Sequence, residues 1–309
     1  MEPISILLIA LFLDLAFGEP PNAGHPVAWL GKLICWETRA TPQKNKAAQL
    51  AYGTVMVLLT VVLIAVLAHF LLAYLKEFSS VAYVIAGAIM LKFTFSLRGL
   101  WQTVAHVHRS LVGNKLTQAR FSLRSLVSRD TTELSQPQMV SATVESAAEN
   151  VCDSFVAPLF YFLLFGVPGA IAYRIVNTFD AMLGYHGEYE YSGKFAARLD
   201  DTVNFIPARL SALAIVIAAW ICRKDPTAAW RIMLRDHKKT ESPNAGWTMS
   251  AIAGALGVQL EKMGHYKLGD DHHALSLKTM DASLQIVITV AAIWSLLSLL
   301  LEVLRLVAT

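Results

Sequence analysis

The feature that most constrains this chain is an almost unbroken apolar run, Val55 to Leu75, in which His69 is the one strongly polar residue. A helix needs about 20 mostly apolar residues to cross the hydrocarbon core of a bilayer. Further stretches of this kind follow the same logic. Val81 to Leu91 continues through Phe93 and Phe95 to Leu97. Leu284 to Val307 carries Glu302 and Arg305 near its end, where long side chains can reach the interface. Phe155 to Val176 is apolar but contains Pro158 and a Gly166-Val167-Pro168-Gly169 break. Ile206 to Cys222 has Arg209 near its start, and the short Ile4 to Phe17 holds Asp14. Composition agrees: 55% of residues are hydrophobic and 16% charged, against roughly 45–50% and about 25% in soluble domains. Disorder is excluded, and the composition argues against a water-soluble monomer. The expected fold is all-α, a polytopic integral membrane protein with polar helical loops, as a single membrane-embedded domain over residues 1–309.

Charge placement gives orientation. Lys92, Arg98, Arg109, Lys115, Arg120, Arg124 and Arg129 follow one another with no acid between them. Arg223 to Lys239 is also basic-rich, and Arg39, Lys44 and Lys46 have no nearby acid after Glu37. The positive-inside rule puts these regions on the cytoplasmic side of the cell membrane. Asn177 to Asn204 is acidic on balance. It stays inside if Phe155–Val176 is a re-entrant hairpin broken at Gly166–Gly169, and then Ile206–Cys222 cannot be one full crossing. The first stretch lacks the basic n-region and small-residue cleavage site of a signal peptide, and reads as a retained membrane or re-entrant helix. The net charge of +3 does not suggest a nucleic-acid binder. Cys35, Cys152 and Cys222 are scattered and show no disulfide framework or zinc site. Between the spans, neither polar region has the β-branched alternation of a sheet. Ser135 with Gln138 and Pro137 marks a helix start.

Chemistry-bearing residues fall into clusters. Glu145, Glu149 and Asp153 are spaced i, i+4, i+8, so a regular helix stacks them on one face. Three such carboxylates repel one another, unless a cation such as Mg²⁺ sits among them, often with nucleotide phosphates; the plain alternative is a solvated acidic face. Arg198, Asp200, Asp201, Asn204 and Arg209 crowd the mouth of an apolar segment, where ionisable groups are costly and arginine forks match phosphates. Capping acids with interfacial arginines would look the same. Asp236 precedes Ser242-Pro243-Asn244-Ala245-Gly246-Trp247, a tight turn before a helix, which can hold an anion or be only a turn. Asp14, Glu19 and His25 form a further group; Asp14 needs a partner. Arg129-Asp130 reads either as a phosphate clamp with its orienting acid or as headgroup contact. His272-His273 after Asp270-Asp271 fits a surface run. No P-loop, G-x-G-x-x-G, H-E-x-x-H or G-x-S-x-G motif occurs.

Four ordered stretches carry a resemblance: DLAFGEPPNAGHPVAWLGKLI, LVSRDTTELSQPQMVSATVESAAENVCDSFVAPLFY, GAIAYRIVNTFDAMLGYHGEYEYSGKFAARLDDTVNFIPARL and SPNAGWTMSAIAGALGVQLEKMGHYKLGD. Together they run from Asp14 to Asp270 and resemble the membrane-bound CobD/CbiB family of cobalamin biosynthesis, the adenosylcobinamide-phosphate synthases. Glu19 departs from the family, which often has Asp there. The resemblance implies an ATP-dependent ligase that joins a carboxylate of the corrinoid adenosylcobyric acid to the amine of (R)-1-amino-2-propanol O-2-phosphate or ethanolamine phosphate. Fitting the needs of that reaction to the residues places Mg²⁺–ATP against Glu145, Glu149 and Asp153 as a hypothesis, with Asp200 or Asp201 completing the shell. Arg129, Arg198 and Arg209 would hold phosphates. Asn150, Asn177, Asn204 and Asn244 would hydrogen-bond corrin amides or the amino alcohol, with His25 among the binding residues. Asp180 or Asp236 would take the amine proton, and Asp201 is a further catalytic candidate. The bilayer is the remaining partner, and homo-oligomerisation is left open.

The competing readings come from other classes. A transporter would place polar residues mid-span in paired broken helices, whereas these clusters mostly flank the spans. A phospholipid-headgroup transferase would carry a D-x-x-D-G…A-R…G-x-x-x-D-x-x-x-D pattern, which is absent. A regulatory relative linked to β-lactamase induction shares the architecture, but Ser242–Trp247 resembles the synthase side.

Overall fold

A computed structural model describes every residue except Gln43, Lys44, Ser128, His186, Glu188 and Thr309. Lys44, one of the orienting basic residues, therefore lies outside the described residues. The chain is helical along almost its whole length: α1 (Glu2–Phe17), α2 (Pro26–Thr38), α3 (Lys46–Phe78), α4 (Ser80–Lys92), α5 (Leu97–Val112), α6 (Leu116–Leu123), α7 (Gln136–Val151), α8 (Ala157–Leu183), α9 (Lys194–Val203), α10 (Phe205–Ile221), α11 (Pro226–Asp236), α12 (Ala245–Leu256) and α13 (Leu277–Ala308). One turn of π-helix, Cys152–Val156, links α7 to α8. The protein is a multi-pass helical membrane protein. Among the described residues, four helical runs are long and apolar enough to cross: Lys46–Phe78, Ser80–Val112, Gln136–Leu183 and Leu277–Ala308. Helices α9 and α10, bent by 49° to each other, add a fifth if they count as one span.

The chain divides into two compact units. The first comprises Met1–Ser96, Ala157–Asn204 and Ser298–Thr309; the second comprises Leu97–Val156 and Phe205–Leu297.

In the first unit, Leu30 and Ile34 of α2, Met56 and Val57 of α3, Ile175, Phe179 and Leu183 of α8, and Ala196 of α9 form a buried apolar core. Gly53 lets α3 touch the chain at Ser192, whose carbonyl oxygen would lie 1.9 Å from any added Cβ. Helix α8 doubles back at Gly166, which adopts φ 67°. A straight helix would separate residues 161 and 173 by about 18 Å, yet the Tyr161 and Tyr173 rings stack 5.3 Å apart. Pro168 has no N–H to continue the ladder, and Arg305 donates to the Leu163 carbonyl beside the break. The Gly166–Gly169 motif thus folds α8 back on itself as a helical hairpin. Helix α10 alone rises only about 25 Å, short of a ~30 Å hydrocarbon core.

The second unit is built around α7, whose residues Met139 through Ala148 are all buried. Its start follows the sequence reading, with the Gln138 side chain accepting from the Ser135 N–H at 2.8 Å. Gly246 and Gly254 lie on one face of α12, and an added Cβ would come within 2.1 Å of the His237 carbonyl or 2.5 Å of the Ala228 carbonyl. Those absent side chains let α12 seat directly on α11. The polar regions are not wholly helical as expected: Leu260–Lys262 (β1) pairs antiparallel with Tyr266–Leu268 (β2). Three-residue strands are too short to display alternation, and the signal that was available is glycine. Gly264 and Gly269 both adopt positive φ, at the turn and just beyond β2.

Candidate functional site

In the second unit, polar chemistry gathers on α7 and the hairpin. Glu145 is 2% exposed and fully engaged. Its Oε2 accepts from Arg129 Nη2 at 2.5 Å and from the Tyr266 hydroxyl at 2.8 Å, and its Oε1 accepts from Ser141 Oγ at 2.6 Å. Ser141 in turn accepts the Glu261 N–H at 2.9 Å, which fixes β1 to α7. Burial, and then the Glu145 carboxylate, push the Tyr266 phenol above its ordinary pKa, so it stays a donor. Arg129 was expected to clamp phosphate; its guanidinium instead neutralises Glu145 and reaches the Glu261 carbonyl at 3.4 Å. Asp130 does not orient it. Asp130 accepts the Thr132 N–H and hydroxyl at 2.9 and 2.8 Å, and these contacts hold its carboxyl below the usual range.

The stacked-carboxylate expectation departs from the geometry at two points. Glu145 has its charge already paired. Beyond Val151 the backbone widens into the π turn, so the 100° step that would carry Asp153 onto the same face is lost. Glu149 and Asp153 are both half-buried. Among the described residues no three His, Cys, Asp or Glu side chains are grouped to hold a metal ion. Among the described residues, Glu145, Glu149 and Asp153 are therefore not gathered into a three-carboxylate cage. Asn150 ties the π turn together: its amide donates to Ser146 O and Oγ at 2.9 and 3.0 Å and accepts from Ser154 at 3.2 Å.

Asp236, a candidate base, lies in an ion-paired cluster. It is fully buried, with Arg235 Nε and Nη2 each at 2.8 Å, Lys239 Nζ at 2.7 Å and the Gly269 N–H at 2.9 Å. Burial alone would push its carboxyl up, but these partners outweigh it and bring it down to about 2. Arg235 also reaches Asp270 at 2.8 Å. The cluster fastens the end of α11 to the chain after β2.

The Ser242–Trp247 turn does lead into a helix, and Arg209 stands over it. Arg209 Nη1 donates to the Phe205 carbonyl at 2.6 Å and to Asn244 Oδ1 at 3.1 Å. Its guanidinium carbon lies 3.5 Å from the Phe205 ring centre and 4.8 Å from that of Trp247.

In the first unit, Asp200 is held by amides. Asn204 Nδ2 donates to its Oδ2 at 2.9 Å and Asn177 Nδ2 to its Oδ1 at 3.4 Å. Behind them, Tyr173 donates to Asn204 at 2.9 Å and Arg174 to Asn177 at 3.3 Å. Among the described residues no cationic side chain pairs with Asp200. Asp201 is half-buried beside it, Arg198 is exposed, and Asp180 is half-buried against Gly184, which leaves room for its carboxylate. A second cluster pairs Asp14 as expected, through Lys92 Nζ at 3.8 Å. Lys92 also bonds Glu19 at 2.9 Å, and Glu19 meets His25 Nε2 at 2.7 Å. His25 Nδ1 accepts the Val27 N–H and so caps α2, which leaves the proton on Nε2 for Glu19. Burial raises Glu19, but Lys92, Ser96 and His25 outweigh it and hold it below the usual range. The sequence reading placed Lys92 only among the orienting basic residues; it did not single out Tyr266, Ser141, Phe205 or the Tyr161–Tyr173 stack.

A family model described as CobD/Cbib protein matches residues 7–299. A protein named "Cobalamin biosynthesis protein CobD" from Dehalococcoides mccartyi (strain CBDB1) is 54% identical, over 96% of this chain and 97% of that protein. A "Probable cobalamin biosynthesis protein CobD" from Methanothermobacter thermautotrophicus is 42% identical, over 91% of this chain and 92% of its own length. One from Methanocaldococcus jannaschii is 38% identical over 87% of this chain and 89% of its own. No solved structure matches.

Proposed function

The chain belongs to the CobD/CbiB family of cobalamin biosynthesis proteins, and from that premise we propose that it is an ATP-dependent amide ligase of the membrane. Its substrates would be adenosylcobyric acid and (R)-1-amino-2-propanol O-2-phosphate, or ethanolamine phosphate, and its product adenosylcobinamide phosphate. A carboxylate is a poor electrophile. One of its oxygens attacks the γ-phosphorus of ATP, the bond to the ADP oxygen breaks, and an acyl phosphate forms. The amine lone pair then attacks the acyl carbon, inorganic phosphate leaves and the nitrogen gives up a proton.

The observation that carries the reading is the amide cradle around Asp200. A carboxylate held by neutral donors keeps its charge available for a cationic partner, such as the ammonium form of the amine substrate. Asp201 and Asp180 are the remaining acids for the proton transfer, since a carboxyl held at about 2 like Asp236 is a poor base near neutrality. Arg209 and the exposed Arg198 are the arginines suited to phosphate, Arg129 being paired with Glu145. Asn177, Asn204 and Asn244 offer neutral hydrogen bonds of the kind corrin amides need. Mg²⁺ would enter as part of the ATP substrate rather than as a resident ion, with Glu149 and Asp153 of α7 and its π turn as the acids proposed to face it.

The test is a reconstituted reaction. Protein purified in mild detergent is given adenosylcobyric acid, Mg²⁺–ATP and the amine phosphate, and products are followed by mass spectrometry. The reading expects an amide formed mole for mole with ADP. ATP turnover that ignores the corrinoid acid, or no amide from either amine, would contradict it.

A further inference from the structure

In the second unit, Arg209 has a guanidinium that is locked in place while its Nε and Nη2 donors stay open. Three contacts lock it. The Phe205 ring covers one face at 3.5 Å, the Trp247 ring stands at 4.8 Å, and Nη1 is tied to the Phe205 carbonyl and to Asn244 Oδ1. Trp247 is itself backed by the His237 ring, 4.0 Å away at 34°. His237 is anchored by Nδ1 on the Met233 and Leu234 carbonyls, both at 3.1 Å. Asn244 is buried, and its own N–H is fixed on Ser242 Oγ at 3.2 Å. The support is therefore layered, from α11 through Trp247 to the arginine, and it costs no ordering when a ligand arrives.

What is left open is specific. Nε and Nη2 of Arg209 donate to no described residue, and neither is buried without a partner. Those two N–H groups form the edge of a guanidinium that bonds two oxygens of a carboxylate or phosphate in parallel. No acidic side chain of the described residues pairs with Arg209, which separates it from Arg129 and Arg235. A cation set against aromatic rings is partly desolvated and gains from a dianion more than an exposed one does.

From this geometry we infer that Arg209 is a preset fork for a phosphate group, and that Asn244, Phe205, Trp247 and His237 are its positioning residues. The inference rests on the ligase reading only for the phosphates it considers, which are the monoester of the amine substrate and the α,β-diphosphate that the nucleotide shares with ADP. It makes phosphate recognition depend on the orientation of the guanidinium, beyond its charge. Lysine at this position keeps the charge but has no planar edge.

Binding, measured without turnover, tests it. Detergent-purified full-length protein is titrated separately with O-phosphoethanolamine and with ADP by calorimetry. The wild type is expected to bind at least one probe. Arg209→Lys should weaken that probe about 10- to 100-fold, the worth of a hydrogen-bonded charge pair. Trp247→Leu, which keeps the arginine and removes one wall, should weaken it about 3- to 10-fold. Loss confined to O-phosphoethanolamine assigns the fork to the amine substrate; loss confined to ADP assigns it to the nucleotide. Unphosphorylated ethanolamine should be indifferent to both changes. Equal binding by wild type and Arg209→Lys, or no binding of either probe by the wild type, overturns the fork. Because no amide need form, these readouts stand even where the ligase assay fails, and a working ligase with unaltered Arg209→Lys binding would sink the fork alone.

Discussion

Glu145 in the second unit and Asp200 in the first each sit among several polar donors, yet they are held in opposite ways. Glu145 is buried against a guanidinium, a phenol and a serine hydroxyl, so its charge is cancelled within the fold. Asp200 is held by two amides, with no cation of the described residues paired to it. The difference separates architecture from chemistry. A paired, buried carboxylate is costly to break but has little left to offer a ligand. A carboxylate oriented by neutral donors can still receive a positive group. Sequence distance to an apolar span does not tell the two apart, because both lie beside one.

Breaking the Glu145 side should have the largest effect. Arg129→Met leaves a buried carboxylate without its cation, and the expected loss of stability is about 3–5 kcal/mol, read as a drop in Tm in detergent. Adding Glu145→Gln should restore roughly half of it, because the orphaned charge goes too. A single variant as stable as the parent would mean that Glu145 is not held as described.

On the Asp200 side the expectation reverses. Asp200→Asn keeps the volume but sets an amide donor against one of the asparagine donors, so a stability loss of only about 1–2 kcal/mol is expected, with kcat/KM lowered about a hundredfold, typical of a lost charged group in a catalytic site. If stability fell further and the remaining folded protein kept its activity, the contrast between the two carboxylates would collapse.

Asp236 sharpens the comparison from a third position. Its carboxyl is depressed from 3.8 to about 2, so it binds its proton less readily folded than unfolded. The stability it contributes is therefore present above pH 4 and lost as pH falls through about 2, amounting to about 2 kcal/mol. Asp236→Asn should flatten that part of the acid-unfolding curve, and an unchanged curve would remove the ion-pair account. The smallest effect expected is from Tyr266→Phe, which deletes one donor to Glu145 and should cost about 1–2 kcal/mol, with kcat close to that of the parent.

Much of this architecture is legible in the residues. Apolar length marked the long spans, the Ser135–Gln138 box marked the start of α7, and Gly166–Gly169 marked the fold in α8. Asp14 needed a partner and has one in Lys92. Other features are set by contacts that no local pattern carries. The π turn at Cys152–Val156 leaves no periodicity signal, so the i, i+8 argument assumed a regular helix where the backbone widens. The Asp236 pairing was in part legible, since Arg235 and Lys239 are its sequence neighbours, whereas Gly269 lies far along the chain. Lys92 read as an orienting charge, since nothing near it in sequence shows that Glu19 folds back onto it. Tyr266 escaped notice because a three-residue strand has no alternation to betray which side faces α7.

The central claim is that the corrinoid carboxylate is activated by phosphorylation before the amine attacks, and isotope transfer reads it most directly. Adenosylcobyric acid labelled with ¹⁸O in the reacting carboxylate is turned over with ATP and the amine phosphate, and the released inorganic phosphate is analysed by mass. The account predicts one ¹⁸O in the phosphate for each amide formed, with ADP as the nucleotide product. Label recovered in AMP, or an amide formed with no label in phosphate, would contradict it.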